Sequence, residues 1–110
     1  MPTMTDRRSV AANTRTTNIL AGLPFEFVVA PSIVRVYMSA AAVGLNADVL
    51  IGGESLVSDS EMSSSNRFPV RPDDLLVEHG GAPGERIFVA LRNTTGAAII
   101  GQTLIDVIPL

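Results

Sequence analysis

The residues from Arg86 to Leu110 alternate or run apolar on both sides of a short polar stretch, and nothing else in the chain restricts its fold as strongly. Ile87, Val89 and Leu91 precede Asn93-Thr94-Thr95-Gly96, and Ile99, Ile100, Leu104, Ile105, Val107 and Ile108 follow it. A period of two in aliphatic residues marks a strand with one buried face, and a continuous apolar run marks a strand buried on both. The spacing predicts a closing hairpin of two long strands. In its first strand Ile87, Val89 and Leu91 face a core, while Arg86, Phe88 and Arg92 line the opposite side, open to solvent or to acidic residues of another chain. The second strand, apolar on both faces from Ala97 to Ile108, must be covered on both, by a second sheet of its own chain or by another subunit.

Upstream the same grammar recurs in shorter runs. Phe25, Phe27 and Val29 predict a strand ending at Pro31, with Glu26 and Val28 on its other face. From Ile33 to Ala41, Val34, Val36 and Met38 alternate with Arg35, Tyr37 and Ser39, whose side faces water or a partner. Ala40 to Ala42 favour helix, but the β-branched residues before them and Gly44 after them leave too short a segment. Leu45 to Ile51 is a further strand, and Gly52-Gly53 predicts a hairpin to Glu54–Val57. Ser58 to Asn66 has loop composition, Pro69 and Pro72 keep the next segment extended, Leu75 to Glu78 is a short strand, and His79 to Glu85 a tight loop. Residues 1–18 are polar, carry Arg7, Arg8 and Arg15 against Asp6 alone, and show no period; they read as a flexible N-terminal arm. Residues 19–110 read as a single β-domain. Strands separated by turn signals, without helical periods between them, predict an all-β fold: a small antiparallel β-sandwich or a jelly-roll-like barrel.

Composition removes several classes of function. At 110 residues one domain with one core is expected. With no cysteine there is no disulfide framework, thiolate nucleophile or cysteine-based zinc site. All 8 basic residues are arginines, set against 11 carboxylates, and the net charge of -3 argues against binding driven by phosphate contacts, leaving nucleic acid only the arm. No run approaches the roughly 20 apolar residues of a membrane span. The polar residues after Asp6-Arg7-Arg8 are no secretory leader, so export by that route is not expected.

Chemistry-bearing residues do not converge. Asp73, Asp74, Glu78 and His79 could in principle hold a divalent cation or run acid–base chemistry, but Asp73 and Asp74 point oppositely in an extended chain, and a Pro-Asp-Asp turn opening a strand explains them. The single histidine and the absence of a Gly-x-Ser-x-Gly elbow leave no Ser-His-Asp relay. Gly80-Gly81-Ala82-Pro83-Gly84 lacks the Lys-Ser/Thr ending of a phosphate loop and leads into a strand. Asn93-Thr94-Thr95 is formally a glycosylation sequon, but without a secretory leader the turn of the hairpin is the reading that explains these residues. No catalytic residue, metal or cofactor is expected.

With its polar arm, its chemically silent β-domain and the strand-turn-strand of Arg86 to Gly96 (RIFVALRNTTG), the whole chain resembles the small virion proteins of bacteriophages, capsid-associated or decorating β-sandwiches. That resemblance implies a non-enzymatic structural protein of the particle, assembled in the host cytoplasm. It would bind further copies of itself, the major capsid protein, or both, with Arg7, Arg8, Arg15, Arg86, Phe88 and Arg92 as candidate contact residues. The alternative is a soluble carbohydrate-type module using the serine loop and the Asp73 to His79 segment. Sugar sites usually present aromatic platforms, and the chain has no Trp and one Tyr, Tyr37.

Overall fold

Alternation organises the fold seen in a computed structural model of the chain, which describes residues 3–23, 26–62, 64, 68–71 and 74–110. Seven strands are found among them: β1 (Thr3–Val10), β2 (Ser32–Ala40), β3 (Leu45–Ile51), β4 (Glu54–Glu61), β5 (Leu75–Gly81), β6 (Ile87–Asn93) and β7 (Ile99–Pro109). They pair antiparallel into two sheets, one in the order β1-β7-β2-β5 and the other in the order β4-β3-β6. The all-β sandwich class read from the sequence holds. Between the sheets lie Val34, Val36 and Met38 of β2, Leu45, Ala47, Val49 and Ile51 of β3, Ile87, Val89 and Leu91 of β6, and Ile99, Ile105 and Val107 of β7, all buried. Each large aliphatic side chain so buried contributes about 1.5–3 kcal/mol relative to exposure.

The closing hairpin is not a hairpin. Among the seven strands described, β6 pairs with β3 alone, whereas β7 pairs with β1 and β2 in the opposite sheet. Both strands turn an apolar face to one core, and they do so from opposite sides of it, so the connection after Asn93 is an arch spanning the gap between sheets. A period of two is identical for strands paired side by side and strands facing each other across a core. β7 is also central: Leu104, Ile105, Asp106 and Val107 are all buried within this one chain, so its two-sided apolar character does not call for another subunit.

Residues 3–10, read from the sequence as arm, form edge strand β1 on β7, with Met4 and Val10 buried. The inward positions between those two are Asp6 and Arg8, which pair with each other, and this polar interior of the strand hid its period. Residues 13–19 then lie along β6: Asn93 N–H donates to Thr14 O (2.8 Å), Thr16 N–H to Leu91 O (2.8 Å) and Ile19 N–H to Val89 O (2.8 Å). The strand expected before Pro31 is reduced to a bridge from Phe27 to Arg86, and of its two faces the one with Glu26 and Val28 is buried while Phe27 and Val29 are exposed; Phe25 lies outside the described residues. Together, residues 13–23 and 26–28 close the edge that β6 would otherwise expose.

Two loops expected from composition begin later than predicted. Ser58–Glu61 continue β4 and His79–Gly81 continue β5, because ladder hydrogen bonds are indifferent to the serine and glycine side chains they carry. The Gly52-Gly53 hairpin forms as read, with both residues at positive φ (61° and 84°), the backbone that matches the twist of the strands it joins.

Candidate functional site

The outer face of the second sheet gathers the largest number of residues singled out from the sequence. β6 sends Phe88 and Arg92 outward, with Arg86 just before it; β3 sends Asn46, Asp48 and Leu50, which pair across with Arg92, Ala90 and Phe88. Arg15 bridges to Arg92 from the N-terminal connection. Each guanidinium is held by a carboxylate of its own chain. Arg15 Nη2 lies 2.9 Å from Asp48 Oδ2. Arg92 makes a two-pronged contact to Asp59, 2.9 Å from Nε and 2.6 Å from Nη2, and Arg86 Nε reaches Glu26 Oε2 at 2.5 Å with its guanidinium 6.0 Å from the centre of the Phe88 ring. Asp59 adopts φ 51° in β4 and donates its N–H to Asp48 Oδ1 (2.6 Å), so the two acidic partners are tied to each other.

Between these groups lies a shallow groove of about 370 Å³ lined by Arg15, Asp48, Leu50, Ser55, Ser58, Asp59 and Arg92. A second hollow of about 320 Å³ continues past Arg15 and Arg92 to Asn13, Thr14, Asn93 and Thr94. Two arginines against two aspartates leave the groove with no net charge. The hydrogen bond from Arg92, helped by Asn46, holds the Asp59 carboxyl below its usual range, and the Gly22 N–H followed by Arg86 does the same for Glu26. Such pairs knit strands, and because water screens exposed charges they add little to stability.

Arg7 and Arg8 sit apart on β1. Arg8 points inward, pairs with Asp6 (2.7 and 2.9 Å) and donates to Ile19 O at 3.3 Å. Arg7 is exposed and has no carboxylate partner among the described residues. The sequence therefore named six residues that fall into two separate places, and only Arg15, Arg86, Phe88 and Arg92 share a face.

The acidic segment disperses. Asp74 is buried and accepts the Val70 N–H (2.9 Å), Glu78 pairs with Arg35, and His79 Nε2 stands 3.7 Å from Glu54 Oε2 across the sheets; Asp73 lies outside the described residues. No group of three potential metal-ligating side chains occurs among the described residues.

One constellation escaped the sequence reading. Asp106, 2% exposed in the middle of β7, receives Arg71 through two bonds (2.6 and 2.7 Å) and the Thr3 hydroxyl at 3.0 Å. The Arg71 guanidinium also lies 6.0 Å from the centre of the Tyr37 ring. Tyr37 and Ser39, expected to face water or a partner, are buried at 3% and 1%. The segment carrying Arg71 folds over the outer face of the first sheet. Its available signal was Asp106 itself, since a carboxylate inside an apolar strand requires a cation. Arg71 first, then Thr3, hold that carboxyl below its usual range.

No protein-family model matches the chain, and neither a curated protein nor a solved structure does.

Proposed function

We propose that the chain is a non-enzymatic structural protein of a bacteriophage particle, a shell-associated β-sandwich that works through contacts with other subunits, further copies of itself or the major capsid protein. The observation that carries this reading is the pair Phe27 and Val29, 52% and 75% exposed on a segment whose intervening Val28 is 2% exposed. The core is complete without them. Leu110, joined to this segment by its N–H bond to Pro31 O (3.0 Å), adds a further exposed aliphatic side chain. Clustered apolar side chains left outside a filled core are the usual mark of a surface that is covered in an assembly.

The fold is consistent with the resemblance to small virion β-sandwiches. The carbohydrate-type alternative loses its one tyrosine, which is buried beneath Arg71. Binding of nucleic acid through an arm also loses ground, because residues 3–10 are committed to the sheet and Arg8 and Arg15 to carboxylates.

Quantitative mass spectrometry of purified particles tests the reading. Many copies of the chain per particle are expected, and Val29→Ser combined with Phe27→Ser should lower its retention while leaving its circular dichroism unchanged. Particles that lack the chain altogether would overturn the proposal.

A further inference from the structure

We propose that copies of this chain join head to tail through the two open edges of the first sheet, β1 of one copy pairing antiparallel with β5 of the next. The proposal rests on the reading of the chain as a structural subunit, and adds which surfaces meet and in what register.

The sheet edges are not equivalent. β6 is covered by residues 13–23 and 26–28. β4 is interrupted by register shifts opposite Ala47, Val49 and Leu50, holds Asp59 at positive φ, and exposes Glu54, Asp59 and Glu61; bulges and charge of this kind protect an edge from pairing. β1 and β5 are more open: β1 pairs with β7 without a register shift, β5 pairs with β2 without one from Val77 to Gly81, and among the described residues no further backbone–backbone hydrogen bond reaches either, although β1 carries Asp6, Arg7 and Arg8 and β5 Glu78. They also lie at opposite ends of one sheet. Because that sheet has four antiparallel strands, β1 and β5 run in opposite directions. A second copy placed beside the first in the same orientation therefore presents its β1 antiparallel to β5, and the sheet continues without a break in its alternation.

Side chains select the register. Arg7 points to the outer face, opposite Gln102, and Glu78 shares that face, opposite Arg35; Asp6 points to the core face opposite Thr103, and His79 does so opposite Val34. Opposed residues of an antiparallel pair must share a face. Setting Arg7 against Glu78 of the next copy satisfies this, and the same register sets Asp6 against His79 and Thr5 against Gly80. Arg7 and Glu78 are opposite in charge, the Asp6 carboxylate faces an imidazole, and Arg7, which has no carboxylate partner among the described residues, acquires one. Gly80 fits the outer position opposite Thr5, where a Cβ would meet nothing within 4 Å. A head-to-tail contact between unlike edges closes into a ring or extends into a filament.

The chain has no cysteine, so disulfide trapping is clean. Within one copy β1 and β5 are separated by β7 and β2, about 14 Å at sheet spacing, beyond the roughly 7 Å limit for a bridge. Equal amounts of full-length Thr5→Cys and Gly80→Cys, mixed and oxidised at high concentration, are expected to give a covalent dimer of one of each. Ser9→Cys mixed with Gly80→Cys, four residues out of register, is expected to give at least tenfold less. Arg7→Glu should weaken self-association measured by sedimentation about tenfold at low salt, without changing the circular dichroism. Gly80→Cys linking to itself as efficiently as to Thr5→Cys, oligomers that link in neither combination, or a chain that remains monomeric would each overturn the proposal. None of these results removes the chain from purified particles, so the failure of the structural reading remains a separate observation.

Discussion

Asn93 shows how one side chain converts a strand into an arch. It is 1% exposed, and its amide donates to Val10 O (3.0 Å) and Ala97 O (2.7 Å) while its oxygen accepts the Thr95 N–H (2.9 Å). An amide so engaged is not available to a glycosylating enzyme. Asn93→Ala should cost about 2–4 kcal/mol in denaturant unfolding, because it leaves buried backbone groups unpaired. Thr103 is the reverse case: its hydroxyl is buried with no partner among the described residues, so Thr103→Val should leave the free energy of unfolding in denaturant unchanged or raise it by up to about 1 kcal/mol. Arg71 and Asp106 supply a pH signature. With the Asp106 carboxyl held below its usual range, its stabilisation is present above the unfolded value near pH 4 and is lost as pH falls through the folded one. Arg71→Ala should therefore be less stable than the parent chain at pH 7, and the gap should narrow as both are taken below about pH 4.

At the level of elements, how closely the sheets approach depends on Gly101. A Cβ there would fall 2.8 Å from Leu45 Cδ2 and 3.0 Å from Leu91 Cδ1, so β7 meets the opposite sheet at a place where any side chain must displace those buried methyls. Gly101→Val should destabilise by about 1–3 kcal/mol through overpacking, read as a lower thermal midpoint with the strand signal retained. Strands whose inward residues are all aliphatic, such as β3 and β6, were legible in the sequence at nearly their full extent. β1 was not, because its inward sequence is Met4, Asp6, Arg8 and Val10, and the polar pair in the middle cancels the period. β4 was only half legible, since its exposed serines look like loop residues and its strand character comes from backbone pairing with β3. Of the candidate contact residues, the outward direction of Arg86 and Arg92 followed from alternation. Their acidic partners did not: Glu26 and Asp59 are 60 and 33 residues away in the chain, and spacing carries no information about pairs so distant.

For the whole molecule, most pairing joins segments far apart in the chain: β1 sits on β7, and residues 13–19 lie along β6. Folding limited by such closures should be slow, on the order of milliseconds to seconds in stopped-flow refolding. An edge-to-edge assembly would add the next copy only after β1 has docked, so Met4→Asp, which charges the buried face of that strand, should reduce self-association along with stability. The sequence by itself determined the class, an all-β domain, and which residues of β2, β3, β6 and β7 face a core, because the two-residue repeat of a strand is a local property of the backbone. Only the tertiary structure decided that β6 and β7 lie in different sheets, that the presumed arm is an edge strand, and that β7 is covered by its own chain. The reason is that a strand presents the same pattern to any partner. Which edge it joins is chosen by hydrogen bonds and ion pairs between distant residues, such as Asn93 with Val10 and Asp106 with Arg71, and these leave no periodic trace.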